Sequence, residues 1–284
     1  MNKVTRLKYY IESLCIYDFE DDDVFSALYD LLCDDEEDTV ALQSYFFKEL
    51  AKSESLKRHI SRLILTNDNI FTKAACAGKV NELSIAVINA VKSDLAKLEE
   101  IASLTAQDIL ADIDDEDIKE ILLTLPGWEV GKPLAPLDSH WDRQLDELIK
   151  YHRENGYGIY AKNIAFTWRD EEITPVNSID PIRLTDLKNY ELQRNKVIDN
   201  TESFIAGHPA NNVLLYGDRG TGKSSTVHAI LNEYWQKGLR MIEIPKSAVA
   251  DLSLIREQIA DSPMKFIIYI DDLSFDSNDT SFSE

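Results

Sequence analysis

Residues 212–216 read Asn-Val-Leu-Leu-Tyr, an apolar run. Gly217-Asp218-Arg219-Gly220-Thr221-Gly222-Lys223-Ser224 follows, and then Ser225-Thr226-Val227-His228-Ala229-Ile230-Leu231, patterned as a helix. Strand, glycine-rich turn and helix form the setting that the pattern G-x-x-x-x-G-K-[ST] requires. Three glycines let the backbone curl until several N–H groups point into one hollow that suits an anion. A helix starting near Gly222 adds its positive dipole end to the same point. Lys223 is then in reach of β- and γ-phosphate oxygens, and the Ser224 hydroxyl is a ligand for Mg²⁺. A glycine turn that joins strand to helix and binds nothing is the competing reading, and the complete motif in its context disfavours it.

A second stretch tests the first. Lys265-Phe266-Ile267-Ile268-Tyr269-Ile270-Asp271-Asp272 is apolar until it ends in two carboxylates. Such a run, entered from Pro263, suits a strand of a parallel sheet buried on both faces. Asp271 at its carboxyl end would lie beside the phosphate loop and hold Mg²⁺ through water. Asp272 is then placed to polarise an attacking water as general base. The interval between the two stretches leaves room for a helix, a strand and another helix.

The 284 residues suit two domains of ordinary size, and 44% hydrophobic content supports packed cores. A formal net charge of −21, from 51 acidic and 30 basic residues, disfavours nucleic acid as partner, because phosphate contacts dominate that affinity. Cys15, Cys33 and Cys76 are widely spaced and form no C-x-x-C pair, which reads as reduced thiols in a cytoplasmic protein. The N-terminus lacks a secretory apolar core, since Glu12 follows Tyr9-Tyr10-Ile11, and no run approaches a membrane span.

Residues 1–155 read as an acidic all-helical domain. Val4, Leu7, Tyr10, Ile11 and Leu14 recur at three and four. The acidic runs at 20–23 and 34–38 precede apolar periodicity, so they fall at helix starts, where the dipole favours carboxylates. Further helices are expected over 56–65, 70–77, 83–104 and 118–125, the third passing through the middle of a bundle. One more, marked by Trp141, Leu145, Leu148 and Ile149, closes at Asn155-Gly156. This half reads as an interaction or regulatory module with a protein partner of unknown identity. Residues 156–180 form an extended linker, aromatic and β-branched over 157–168, with Arg169-Asp170-Glu171 as a turn. From 181 onward helix and strand alternate: a helix over 188–206, the phosphate-loop strand and helix, a strand over 240–244, a helix over 252–259, then the strand ending in Asp271. Alternation of this kind means a parallel sheet.

The C-terminal part resembles the AAA+ ATPases, and within them the bacterial family DUF815. The resemblance runs through Asp186-Leu187, Tyr190-Glu191, Gln193, Asn200-Thr201-Glu202, Phe204 and residues 209–225, then Ile244-Pro245-Lys246 and Asp271-Asp272-Leu273-Ser274-Phe275. It implies an α/β P-loop NTPase core over 181–284, preceded by the all-helical domain, with ATP and Mg²⁺ as ligands. The segment 184–190, with Leu187 and Tyr190, would border the adenine. Residues Gly217 to Ser225 would cradle the phosphates, with Lys223 on them, Ser224 and Asp271 on Mg²⁺, and Asp272 toward the water. A ring of subunits in the full-length form is implied too.

Two departures shape the expected function. Most AAA+ proteins carry Asp-Glu where this chain has Asp271-Asp272, and the shorter side chain sets the catalytic oxygen farther from its target. The resemblance implies a sensor strand, an arginine finger and a helical lid that would follow Glu284, so this stretch alone is expected to hydrolyse ATP slowly or not at all. The resemblance thus implies Mg-dependent ATP binding, with hydrolysis coupled to conformational change in the complete protein. The alternative is a nucleotide-gated interaction module that binds ATP with little or no hydrolysis. A P-loop kinase lacks a visible acceptor site, and a nucleic-acid loader conflicts with the charge.

Overall fold

A computed structural model describes residues 1–34, 38–53, 55–176, 178–260 and 262–271. Asp272, the acidic residues 35–37 and the Leu273-Ser274-Phe275 match lie outside the described residues. The chain divides into two compact units, Met1–Arg153 and Glu154–Glu284. Among the described residues no helix is long and apolar enough to cross a membrane.

The first unit is helical: α1 (Lys3–Glu12), α2 (Asp23–Cys33), α3 (Thr39–Leu50), α4 (Leu56–Leu65), α5 (Ile70–Ala77), α6 (Ile85–Ile101), α7 (Ala106–Leu110), α8 (Glu116–Leu122) and α9 (Leu145–Asn155), whose last turn crosses the boundary. In α4, Leu56, Ile60 and Ile64 recur every fourth residue and are buried on one face. They join Leu7, Leu28, Phe46, Phe71, Leu95, Leu98 and Trp141 in one core. Local signals set the ends. Asn69 accepts the Thr72 N–H at 2.9 Å while the Thr72 hydroxyl accepts the Asn69 N–H at 3.0 Å, and Gly78 closes α5 in the left-handed region at φ 70°.

Helix α6 buries Val91, Asp94, Leu95, Leu98 and Ile101, but its first residue, Ile85, is 80% exposed. The expected passage through the bundle therefore holds for its second half. Asp94 takes the amides of Cys15, Ile16 and Tyr17 at 2.9, 2.7 and 3.3 Å, fixing the turn that follows α1.

The second unit is mixed α/β: α10 (Gly158–Lys162), β1 (Ala165–Arg169), β2 (Glu172–Pro175), α11 (Glu191–Ile205), α12 (Lys223–Tyr234), β3 (Leu239–Glu243), α13 (Leu252–Ile259) and β4 (Lys265–Tyr269). Its four described strands make one mixed sheet in the order β2-β1-β3-β4. The β1–β2 hairpin is antiparallel and turns at Asp170 and Glu171, both at positive φ, whereas β1, β3 and β4 run parallel. Thus part of the stretch read as a linker supplies two strands of the sheet.

Strand alternation sorts the two faces. Phe166, Trp168, Ile242, Phe266, Ile268 and Ile270 pack with Tyr160 of α10 and Ile255 of α13. Ala165, Leu239, Met241, Ile267 and Tyr269 pack with Ile230, Leu231 and Tyr234 of α12 and Val197 of α11. Arg240 is 3% exposed, and its guanidinium donates to the carbonyls of Asn155, Tyr160, Trp235 and Leu239.

The run 212–216 differs from its sequence reading: it carries no strand, and Val213, Leu214 and Tyr216 are 47, 71 and 89% exposed. A strand needs a ladder partner for its amides and carbonyls. The described sheet ends at β4, and none of its strands pairs with this run.

Candidate functional site

The loop after Tyr216 curls through glycines at positive φ, which side chains disfavour: Gly217 at φ 144°, Gly220 at 77° and Gly222 at 81°. Open space surrounds Gly220 and Gly222, so the hollow beside them is unfilled by protein. The Thr221 hydroxyl donates to the Asp218 carbonyl at 2.8 Å and closes the turn. Helix α12 starts at Lys223 with no side chain capping it. The N–H groups from Gly217 to Ser225 donate no hydrogen bond to any acceptor among the described residues. A row of unbonded amides thus stands at the positive end of a twelve-residue helix, an arrangement that suits an anion.

Lys223 folds across this loop. Its ammonium donates to the Gly217 and Asp218 carbonyls at 3.0 and 2.9 Å. Ser224, next along the helix, donates its hydroxyl to both oxygens of Asp271, each at 3.1 Å. Strand β4 delivers Asp271 two residues past its end, on the face that carries Ile267 and Tyr269. So residues 47 apart in sequence, Ser224 and Asp271, meet at the mouth of the loop.

Sequence reasoning passed over two residues one step deeper. Tyr269 lies on the same strand face as Asp271, and burial pushes its phenol up to about 12, reinforced by the Asp271 carboxylate and opposed by the Ser224 hydroxyl. His228, one helical turn beyond Ser224, meets the Tyr269 ring edge-on at 6.1 Å between centroids and 78° between planes. The spacings Ser224/His228 and Tyr269/Asp271 were visible in sequence, at four and two residues, as shared faces of a helix and a strand.

Other expected residues are placed less closely. Arg219 is exposed in the loop and Ser225 is half-buried in the first turn of α12. The short 3₁₀ turn Leu184–Asp186 packs on α12, and Leu187 follows it, its carbonyl accepting from Arg194 at 2.6 Å. Tyr190 precedes α11 at φ 55° and is 56% exposed. Neither Leu187 nor Tyr190 is hydrogen-bonded to the glycine loop. A separate cavity of about 420 Å³ lies at the carboxyl ends of β1 and β3, lined by Trp168, Arg169, Glu171, Ser247 and Asp251, and it does not include the loop.

Fold and site together define a mixed α/β unit with a glycine loop and a strand-end carboxylate converging at one edge of its sheet. Residues 161–284 match the model of a family described as "Protein of unknown function (DUF815)". That span starts within α10 and takes in every described strand and the loop. No curated protein and no solved structure matches the chain.

Proposed function

We propose that this chain is a Mg-dependent ATP-binding protein of the AAA+ P-loop type, which couples hydrolysis to conformational change in its complete form. The observation that carries the reading is the meeting of Ser224 with Asp271 below a loop of unbonded amides. That donor set fits a metal–triphosphate: amides and an ammonium for anionic oxygens, a hydroxyl and a carboxylate for a hard cation. Mg²⁺, when bound, neutralises charge on the phosphate oxygens, and Ser224 and Asp271 would hold it.

The chain's own groups divide the work. Lys223 gives up two loop carbonyls for phosphate oxygens, exchanging dipoles for full charges. The amides of the loop and first helical turn fix the phosphates without further reorganisation. Leu187 and Tyr190 would border the adenine, and Asp272 would orient the water. Assembly into a ring, and a protein partner for the helical unit, belong to the same proposal. The net charge of −21 speaks against nucleic acid as that partner.

A second reading is favoured by Asp271-Asp272 itself: ATP is held but hardly split, and occupancy gates what the helical unit contacts. Calorimetric titration with Mg·ATP, Mg·ADP and Mg·GTP tests the common premise. Lys223→Ala should weaken binding about 10- to 100-fold, the scale of one or two charged hydrogen bonds. Equal affinity in wild type and variant would remove the proposal. Phosphate release then separates the readings, since tight binding without turnover selects the second.

A further inference from the structure

Between β2 and α11 the chain forms a strap, residues 178–190, whose one regular turn is the 3₁₀ stretch Leu184–Asp186. Irregular chain keeps a single course only where contacts offset the entropy of ordering it. Two clasps do so here. Asn232 of α12 donates its carboxamide hydrogens to the Asp180 and Ile182 carbonyls, each at 2.8 Å. Arg194 of α11 donates to the Leu187 carbonyl at 2.6 Å. Between the clasps, Leu184 packs in the apolar cluster of Ile230 and Leu231 of α12.

Past the second clasp the strap is open. The N–H groups of Leu187, Lys188 and Asn189 meet no acceptor among the described residues. Asn189 and Tyr190 stand at φ 65° and 55°, a region that side chains disfavour and that often marks ligand-holding chain. Tyr190 and Leu192 are 56 and 69% exposed. Open backbone donors followed by an exposed aromatic ring suit a flat heterocycle with a hydrogen-bonding edge. The same two helices also support the glycine loop. Helix α12 starts in it at Lys223, and Asn200 of α11 exchanges two hydrogen bonds, each 2.9 Å, with the backbone of Asn211 at its approach.

We propose that Asn232 is a positioning residue for the base of the bound nucleotide. It fixes the start of the strap on the helix that carries the loop, and so sets where Leu187 to Tyr190 stand to receive the base. The task needs a carboxamide, because two carbonyls must be met by two hydrogens on one nitrogen. Aspartate, its isostere, would set lone pairs against both carbonyls. Asn232 touches neither base nor phosphate and acts through the strap alone. The inference rests on the magnesium–nucleotide reading of the loop.

The test uses the full chain and calorimetric titration with Mg·ATP and with Mg·tripolyphosphate, which lacks base and sugar. Asn232→Asp reverses the clasp and Asn232→Ala deletes it, while Arg194→Ala releases the other end of the strap. Melting curves without ligand are the control for folding. Each folded variant should bind Mg·ATP about tenfold more weakly, the worth of one or two hydrogen bonds. Affinity for Mg·tripolyphosphate should stay that of wild type, a selectivity that general loss of structure would not produce. An equal loss of both ligands, or no loss of Mg·ATP, overturns the role of Asn232 and leaves the loop reading standing. A wild type that holds Mg·tripolyphosphate as tightly as Mg·ATP overturns it too, with no variant needed, since the base then adds nothing. A wild type that binds neither ligand overturns both readings.

Discussion

Asp94 is a carboxylate with no exposure to solvent, held in the middle of a helical core. Its Oδ2 collects three consecutive amides, and Lys97 approaches Oδ1 at 3.6 Å. Burying a charge is costly unless several hydrogen bonds compensate, and breaking such a set leaves orphaned donors behind. Asp94→Asn keeps the shape, removes the charge and turns an NH₂ group toward a site built for acceptors. Urea unfolding should show a loss of about 2–3 kcal/mol, the range for hydrogen bonds to a charged group. The same logic marks Arg240 as structural, since its guanidinium is spent on four carbonyls inside the second unit.

At the level of elements, the start of α2 shows how one cap ties three segments together. Asp22 caps the helix through the Phe25 N–H at 2.9 Å. The same Oδ1 lies 2.8 Å from His59 Nε2 in α4, and His59 Nδ1 lies 2.8 Å from the Ser53 hydroxyl. Burial works against ionisation of Asp22, but the His59 ring N–H and the Phe25 and Val24 amides outweigh it and hold the carboxyl below its usual value. A carboxyl whose folded value lies below its unfolded one, ~3.9, lends stability above about pH 4. That contribution is lost as pH falls through the folded value. Asp22→Asn retains a good cap but not the charge. Melting curves between about pH 7 and pH 3 should show the variant less stable at neutrality, with the gap closing in acid. A gap independent of pH would contradict this account.

Elements also show which parts of the fold could be read from sequence. Helices α4, α5 and α13 fall at 56–65, 70–77 and 252–259 as expected, because apolar spacing and nearby caps agree there. Helix α7 went unread, being five residues long and too short for a periodic signal. Residues 157–162 were expected to be extended, but α10 occupies most of them: Tyr157 and Tyr160 recur at three, and Tyr160 packs on Phe166 and Phe266. The strand at 212–216 was the clearest failure, since composition reports how apolar a run is and says nothing of what will pair with it. In the site, the approach of Asp271 to the glycine loop was legible from the two motifs together. The contact of Tyr269 with His228 was not, because it depends on two elements lying in step.

For the whole molecule the dominant fact is charge. A net −21 on 284 residues means long-range self-repulsion in any compact state. The exposed ion pairs, such as Lys73–Asp68 and Arg6–Glu100, offset little of it. Raising NaCl from about 0.02 to 0.5 M should therefore raise the melting temperature by a few degrees, as the Debye length contracts to a few ångströms. A fall would mean that local ion pairs outweigh the overall field.

The posture of Lys223 carries a last consequence within the proposed function. Its ammonium clasps the rim formed by Gly217 and Asp218, so the loop is braced by its own cation. Capture then asks for the swing of one pliant side chain rather than the refolding of a loop. A receptor poised in this manner selects for polyanions by charge, and leaves the choice among bases to residues elsewhere.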